Sequence, residues 1–247
     1  VVARDRIVAY LDQLLEPASY EDSCPQGLQV EGTPHVNKIV TGVSASLELF
    51  RQAEAKQADM VIVHHGLFWD QDSRTVRGFL KKRLAVLLAN DISLVAYHLP
   101  LDGHPGFGNN ALAARALGLM CLERFATVGH WGRYSEPLDV RVLFNKVKIL
   151  YESNPLIFDY GPPSVEAVGI VSGGGARHLR EAIDLDLHCF ITGEPVEAAM
   201  HLAKESRIHF VAAGHYATER LGIKVLGEQI AQEFGVEVEF VDLPNPV

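Results

Sequence analysis

Positive charge is what this sequence is short of. Lys and Arg number 22 against 31 Asp and Glu, a formal net charge of −9 at neutral pH. That balance argues against a general electrostatic grip on nucleic acid or on an anionic membrane surface. Cysteine is sparse: Cys24, Cys121 and Cys189 stand far apart, with no Cys-x-x-Cys pair. No disulfide framework and no closed thiolate zinc site can be built from them, and a reducing compartment is expected. Cys24 and Cys189 read as packing residues. No apolar run approaches the roughly 20 residues of a membrane span. Arg4, Asp5 and Arg6 precede an amphipathic stretch rather than the apolar segment of a secretory signal. A soluble cytoplasmic protein is therefore expected.

What is present is ample hydrophobicity, 48% of 247 residues, arranged in runs of two periods. Ile7, Leu11, Leu14 and Leu15 fall at helical spacing. Strands are predicted at Leu28–Val30, Lys38–Ser44, Met60–Val63 and Ile92–Tyr97, with helices over 46–56 and 79–89 between the last three. The second of these helices has its apolar stripe at Leu80, Leu84, Leu87 and Leu88. A helix over 110–117 stops at Gly118. Residues 124–163 read as a connector with short strands and one helix. Strands resume at 168–171, 188–191 and 208–212, with helices between them, then a final helix through Phe234 and a strand alternating Val236, Val238 and Phe240. Strands alternating with helices predict an α/β fold with mostly parallel pairing.

The order of elements repeats. In the first half, a strand and helix lead to Val61-Ile62-Val63-His64-His65-Gly66, then to a strand ending in His98, three residues and Asp102. In the second, a strand and helix lead to Cys189-Phe190-Ile191-Thr192-Gly193-Glu194, then to a strand ending in His215, three residues and Glu219. Both halves finish on His-x-x-x-acid, which predicts two duplicated lobes, 1–125 and 126–247, intertwined as one unit.

Strand ends of open α/β sheets are where ligands sit. The candidate cluster is His64, His65, His98, Asp102, His215 and Glu219. Imidazole and carboxylate donors suit divalent Zn, Fe, Mn, Co or Ni. Neighbouring residues of an extended strand point to opposite sides, so His64 and His65 fit two ions more readily than one. A carboxylate bridges such a pair, and Glu219 is the expected bridge; bound water then becomes hydroxide near neutral pH. His215 and Glu219 share a face if their segment starts a helix. Pro100 disfavours helix at Leu99, so His98 and Asp102 are expected to converge from a loop. Glu194 reads equally as a general base or as a residue favoured at a helix start. His98 reads as a ligand, a supporting group or a proton donor, and Asp102 also as a plain loop cap. Gly173-Gly174-Gly175 lacks the residues of a phosphate loop and reads as tight helix–strand packing. His35, His104, His130, His178, His188, His201 and His209 read as structural or exposed.

An ordered set of motifs resembles the Nif-three-like family, often described as GTP cyclohydrolase 1 type 2 homologues. They are Gly27-Leu28-Gln29-Val30, Val63-His64-His65-Gly66, His98-Leu99-Pro100-Leu101-Asp102, Gly108-Asn109-Asn110, Gly173-Gly174-Gly175, Ile191-Thr192-Gly193-Glu194 and Gly214-His215-Tyr216-Ala217-Thr218-Glu219. The resemblance spans nearly the whole chain and is strongest to the short bacterial form. It implies two interlinked α/β lobes with a dinuclear metal site between them. It carries metal binding onto His64, His65, Asp102, His215 and Glu219, with His98 beside them, and implies a ring-shaped homohexamer. Ser23-Cys24-Pro25-Gln26 departs from the Asp-Asn-type turn of many relatives.

The function expected is metal-dependent hydrolysis of a nucleotide-like substrate by metal-bound hydroxide, with Glu194 or His98 moving protons. The alternative is a non-enzymatic metal carrier or regulatory scaffold that binds a protein partner.

Overall fold

Each predicted hydrophobic run becomes a strand or the buried face of a helix. The computed structural model describes residues 1–247. The first stretch gives β1 (Val2–Ala3), α1 (Arg4–Leu15), β2 (Gly27–Val30), β3 (His35–Val36), β4 (Lys38–Ser44), α2 (Leu47–Ala55), β5 (Met60–His65), α3 (Gly78–Ala89) and β6 (Ser93–Ala96). The middle gives α4 (Leu99–Gly103), α5 (Asn109–Leu117), β7 (Met120–Phe125), β8 (Gly129–Asp139), α6 (Val140–Tyr151), β9 (Leu156–Phe158) and β10 (Ser164–Val171). Then follow α7 (Leu179–Asp184), β11 (Cys189–Thr192), α8 (Glu197–Ser206), β12 (His209–Ala212), α9 (His215–Thr218), α10 (Arg220–Phe234) and β13 (Glu237–Phe240). No helix is long and apolar enough to cross a membrane.

By its contacts the chain forms two units: Val1–Leu101 with Gly222–Leu243, and Asp102–Leu221 with Pro244–Val247. The units are interlinked along the sequence, since the chain leaves the first, builds the second and returns. This grouping differs from the expected split at 125/126. α10 and β13 belong with the first unit because β13 adds to the edge of its sheet, parallel to β4.

In the first unit a five-stranded sheet runs β13-β4-β5-β6-β2, parallel except for β2. Ser46 caps α2 by accepting from the Leu49 N–H at 3.1 Å. Leu49, Phe50 and Ala53 of α2 and Leu80 and Leu87 of α3 pack with Val40, Val61, Val63 and Leu94 of the sheet. Each such buried aliphatic side chain contributes about 1.5–3 kcal/mol. The predicted stripe of α3 holds at Leu80, Leu84 and Leu87 and fails at Leu88, which is 60% exposed. α3 is apolar nearly all round, so spacing alone cannot choose its face.

The second unit carries a six-stranded sheet, β7-β8-β10-β11-β12-β9. Only its centre, β10-β11-β12, is parallel; β7, β8 and β9 pair antiparallel. Mostly parallel pairing therefore describes the first sheet and not the second. The stretch expected to be a connector supplies the 11-residue strand β8, which pairs with β10 through a bulge between Val165 and Ala167. α5 ends at Gly118, whose φ of +90° suits a residue without Cβ. Leu143, Val147 and Tyr151 of α6 join Ala113, Ala114 and Leu117 of α5 against Val168, Ile170, Ile191 and Val211.

The duplication is visible in the topology. Each unit holds three consecutive parallel strands joined through helices, β4-α2-β5-α3-β6 and β10-α7-β11-α8-β12. Each places its chemistry at the same ends: His64-His65 or Thr192 closing the middle strand, and His98 or His215 just beyond the third.

Candidate metal centre

In the first unit β5 lies between β4 and β6 and runs through both histidines. His64 is fully buried, and its Nδ1 lies 3.1 Å from the carbonyl oxygen of Tyr97. A carbonyl only accepts, so that nitrogen carries the hydrogen and Nε2 is the one His64 offers. Nδ1 of His65 lies 2.9 Å from Oγ of Ser44, its register partner on β4. One ring is thus tied to the residue just beyond β6 on one side and the other to β4 on the opposite side. Yet the ring centroids are only 4.7 Å apart. The alternation expected of a strand governs where the Cβ atoms start. At the sheet's edge, hydrogen bonds to the flanking chain decide where the rings finish.

His98 joins them. Its Nδ1 lies 2.9 and 3.0 Å from the two carboxylate oxygens of Asp22. Asp22, its side chain 3% exposed, also accepts from the Leu99 N–H at 2.9 Å and the Cys24 N–H at 3.0 Å. Burial pushes this carboxyl up, but the His98 imidazole and the two peptide donors outweigh it and hold it below the usual range. Donor atoms of His64, His65 and His98 all fall within 4.8 Å of one another. Imidazoles grouped this closely could hold a metal ion.

In the second unit α9 starts at His215, which meets the condition for His215 and Glu219 to share a face, and Glu219 is the residue that ends it. His215 Nε2 lies 3.1 Å from Glu219 Oε2, and its Nδ1 is hydrogen-bonded to the Glu194 carboxylate. Burial alone would lower the His215 pKa, but the carboxylates of Glu219 and Glu194 outweigh it and carry it up to about 9. Asp102 is buried within α4, and its Oδ1 accepts from Asn109 Nδ2 at 2.8 Å and from Ser172 Oγ at 2.7 Å. Helix begins at Leu99 despite Pro100, contrary to the expected loop. Pro100 sits in the first turn, where no intrahelical N–H is required.

The residues that sequence reasoning missed hold the donors. Asp22 was hidden as a single loop carboxylate. Asn109, Asn110 and Ser172 form one buried network: Asn110 Oδ1 accepts from the Ser172 N–H at 2.7 Å and its amide donates to Val128 O at 3.0 Å. Gly173 is more than a packing glycine. Its carbonyl accepts from the N–H groups of Gly193 and Glu194 and from the Thr192 hydroxyl. A Cβ there would lie 2.1 Å from Glu219 Oε1. Only the absence of a side chain lets Glu219 stand where it does.

The remaining histidines are structural or exposed, as expected. His188 Nδ1 accepts from the Glu166 N–H at 2.9 Å, and His209, fully buried, donates from Nε2 to Pro162 O at 2.7 Å. His104 stacks on Phe107 at 3.8 Å, His178 meets Glu181 at 2.7 Å, and His201 stands exposed beside Glu197. His35 is exposed and His130 buried in β8. Cys24 and Cys189 are buried free thiols, and burial pushes both up in pKa.

Fold and donors together define a class: a duplicated α/β protein whose strand ends present imidazoles and carboxylates able to hold a metal. The model of the Duf34/NIF3 (NGG1p interacting factor 3) family matches residues 2–246, and the chain belongs to that family. It is 42% identical over 241 residues to the GTP cyclohydrolase 1 type 2 homolog of Haemophilus influenzae, covering 96% of each chain. Among solved structures it is similar to protein ybgI, described as of unknown function, with a TM-score of 0.96 and 41% identity over 100% of both chains. It is also similar to TTHA1606 from Thermus thermophilus, with a TM-score of 0.93 and 35% identity over 100% of both.

Proposed function

We propose that this chain holds a pair of divalent cations through His64, His65, Asp102, His215 and Glu219, with Glu219 as the bridge, and is a cytoplasmic metal-dependent hydrolase of a nucleotide-like substrate. The observation that carries the reading is the treatment of the imidazoles. His64, His65 and His215 each have Nδ1 engaged by an oxygen, from Tyr97, Ser44 and Glu194. That is how metal-binding histidines are oriented, and at His64 and His215, where the partner oxygen only accepts, Nε2 is also made more basic. Asp102 is fixed in the same way by Asn109 and Ser172. A set of nitrogens and oxygens without thiolate fits Zn, Fe, Mn, Co or Ni.

Bound ions would supply Lewis acidity toward water and a substrate oxygen. The chain's own residues do the rest. Glu194, its side chain 39% exposed, orients His215 and is the carboxylate we assign to proton movement. Gly173 keeps room for Glu219. The substrate class rests on the name its relatives carry, GTP cyclohydrolase 1 type 2 homolog. The ring-shaped homohexamer belongs to the same proposal, and sedimentation of the purified chain measures it.

The test is elemental analysis of protein purified without chelators, followed by turnover of the metal-loaded form against GTP and related nucleotides. Two ions per chain, lost in Glu219→Ala, with saturable chelator-sensitive turnover is the expected result. A full metal complement with no turnover across the panel overturns the hydrolase and leaves a metal carrier. Absence of bound metal overturns both.

A further inference from the structure

The chain carries a net charge of −9, yet one stretch runs the other way. Arg74, Arg77, Lys81, Lys82 and Arg83 fall within ten residues that contain no Asp or Glu. The first four are exposed and none of them is ion-paired. Lys38 and Lys56 of the same unit, by contrast, each lie 2.6 Å from a glutamate. Arg83 is half-buried; burial lowers its pKa and the Asp72 carboxylate works against that. Arg77 immediately precedes α3 and Lys81 stands in its first turn, at the positive end of the helix dipole, where carboxylates are favoured and cations are not. Like charges gathered without partners repel one another, and an anion from outside the chain relieves that repulsion.

The stretch begins at the end of the first sheet that carries the imidazoles. β5 closes on His65, and residues 66–77 lead from there to α3. Trp69, half-buried, has its ring centroid 5.1 Å from that of His98, edge to face at 80°, and 6.2 Å from that of His65. The Asp70 N–H donates to Ser23 O at 2.9 Å and the Asp72 N–H to Trp69 O at 2.9 Å, so the connection turns here instead of running out into solvent. Arg74 follows two residues later, its Cα within about 7 Å of that of Asp72. A broad aromatic ring and a row of cations thus succeed one another on a single connection beside the imidazoles. Guanidinium forks match phosphate oxygens in pairs, ammonium groups serve them as point charges, and an indole face accepts any nucleobase.

We propose that this connection and the start of α3 form a triphosphate subsite, in which Arg74, Arg77, Lys81 and Lys82 hold the phosphates of a nucleoside triphosphate and Trp69 faces its base. This rests on the reading of the substrate as nucleotide-like and narrows it: the ligand is a triphosphate, and neither the nucleoside nor the free base suffices. The cations that grip it belong to the chain itself, so the grip persists when metal is absent.

The experiment is calorimetric titration of the full chain, metal-loaded and metal-stripped, with GTP, GMP and guanosine. Affinity should rise in the order guanosine, GMP, GTP in both forms, and the preference for GTP should shrink as salt is raised. The double variant Arg74→Gln, Arg77→Gln should bind GTP about 10–100-fold more weakly, bind guanosine as before and keep the metal content of the parent. Lys81→Gln with Lys82→Gln repeats the test from the helix, and melting temperatures check that these exposed positions leave the fold intact. In a Trp131→Phe background Trp69 is the one remaining tryptophan, and its emission should change on adding GTP or guanosine. Equal affinity of the parent for all three ligands, a GTP preference seen only with metal bound, or parental GTP affinity in both double variants overturns the inference and leaves the metal centre and the hydrolase standing. Unchanged Trp69 emission while calorimetry records binding overturns the place given to the base. Binding of a single-stranded oligonucleotide that GTP cannot displace overturns the subsite in favour of a nucleic-acid surface. A parent chain that binds none of the three ligands overturns it together with the nucleotide-like substrate beneath it.

Discussion

Gly173 and Glu219 share one small volume: a methyl group on the first would lie 2.1 Å from a carboxylate oxygen of the second. Gly173 also adopts a φ of +61°, a region that costs an ordinary residue of order 1 kcal/mol or more. Gly173→Ala should therefore be destabilised by about 1–3 kcal/mol and should displace Glu219. Urea unfolding gives the first quantity and metal content the second. A variant that keeps its full metal complement would show that the carboxylate is not a ligand at that position.

Ser172 tests the buried network around Asp102. Its hydroxyl donates to Asp102 Oδ1 at 2.7 Å, and Asn109 donates to the same oxygen. Removing one charge-assisted hydrogen bond from a buried carboxylate costs about 1.5–3 kcal/mol. Ser172→Ala should lose that much stability without metal and less once metal is bound, since a cation also stabilises the carboxylate. Paired denaturation curves with and without added Zn(II) measure the difference.

His215 sets a pH dependence whose sign is fixed. Its pKa in the folded, metal-free chain is raised to about 9. The stabilisation from its protonated form is thus full below the unfolded value near 6.5 and is lost as pH rises through about 9. Metal-free protein should weaken across that window, by up to roughly 3 kcal/mol. Proton and cation compete for the same nitrogen, so metal affinity should climb across the same window and level off above it. Glu219→Gln should flatten both trends. Calorimetric titrations in buffers of different ionisation enthalpy would count the protons released.

His130 has the opposite sign. It is buried in β8, and burial first, then Arg124 and Arg115, push its pKa down to about 4. Its contribution is present above about 6.5 and is lost as pH falls toward 4, by up to about 3 kcal/mol. His130→Gln should show a shallower loss of stability between pH 6.5 and 4 than the parent chain. Equal slopes in the two would remove His130 from the account of acid sensitivity.

The short-range grammar of the fold was legible. Gly118 after a helical run and β-branched runs at 38–44 and 60–63 act within a few residues, so the sequence displays them directly. The candidate donors stand out the same way, as His-His-Gly after an apolar strand and as two His-x-x-x-acid repeats. What stayed hidden depends on partners far along the chain. β8 contains Gly132 and Pro137 and no clean alternation, and it is a strand because β10 holds it in register. α3 gave no reliable inner face because its apolar residues surround it. Asp22 shows nothing of itself in sequence: only the fold brings it to a ring 76 positions away. Pro100 misled because the rule against helix before proline yields in a first turn.

The path of the polypeptide has a consequence for biosynthesis. All six strands of the second sheet lie between residues 120 and 212, whereas the first sheet gains its edge only with β13 at 237–240. A nascent chain emerging from the ribosome can therefore lay down the later sheet entire while the earlier one still lacks its outermost member. Completion of the first unit's sheet waits on residues 237–240, and deleting them should injure the unit built mostly from residues made earlier.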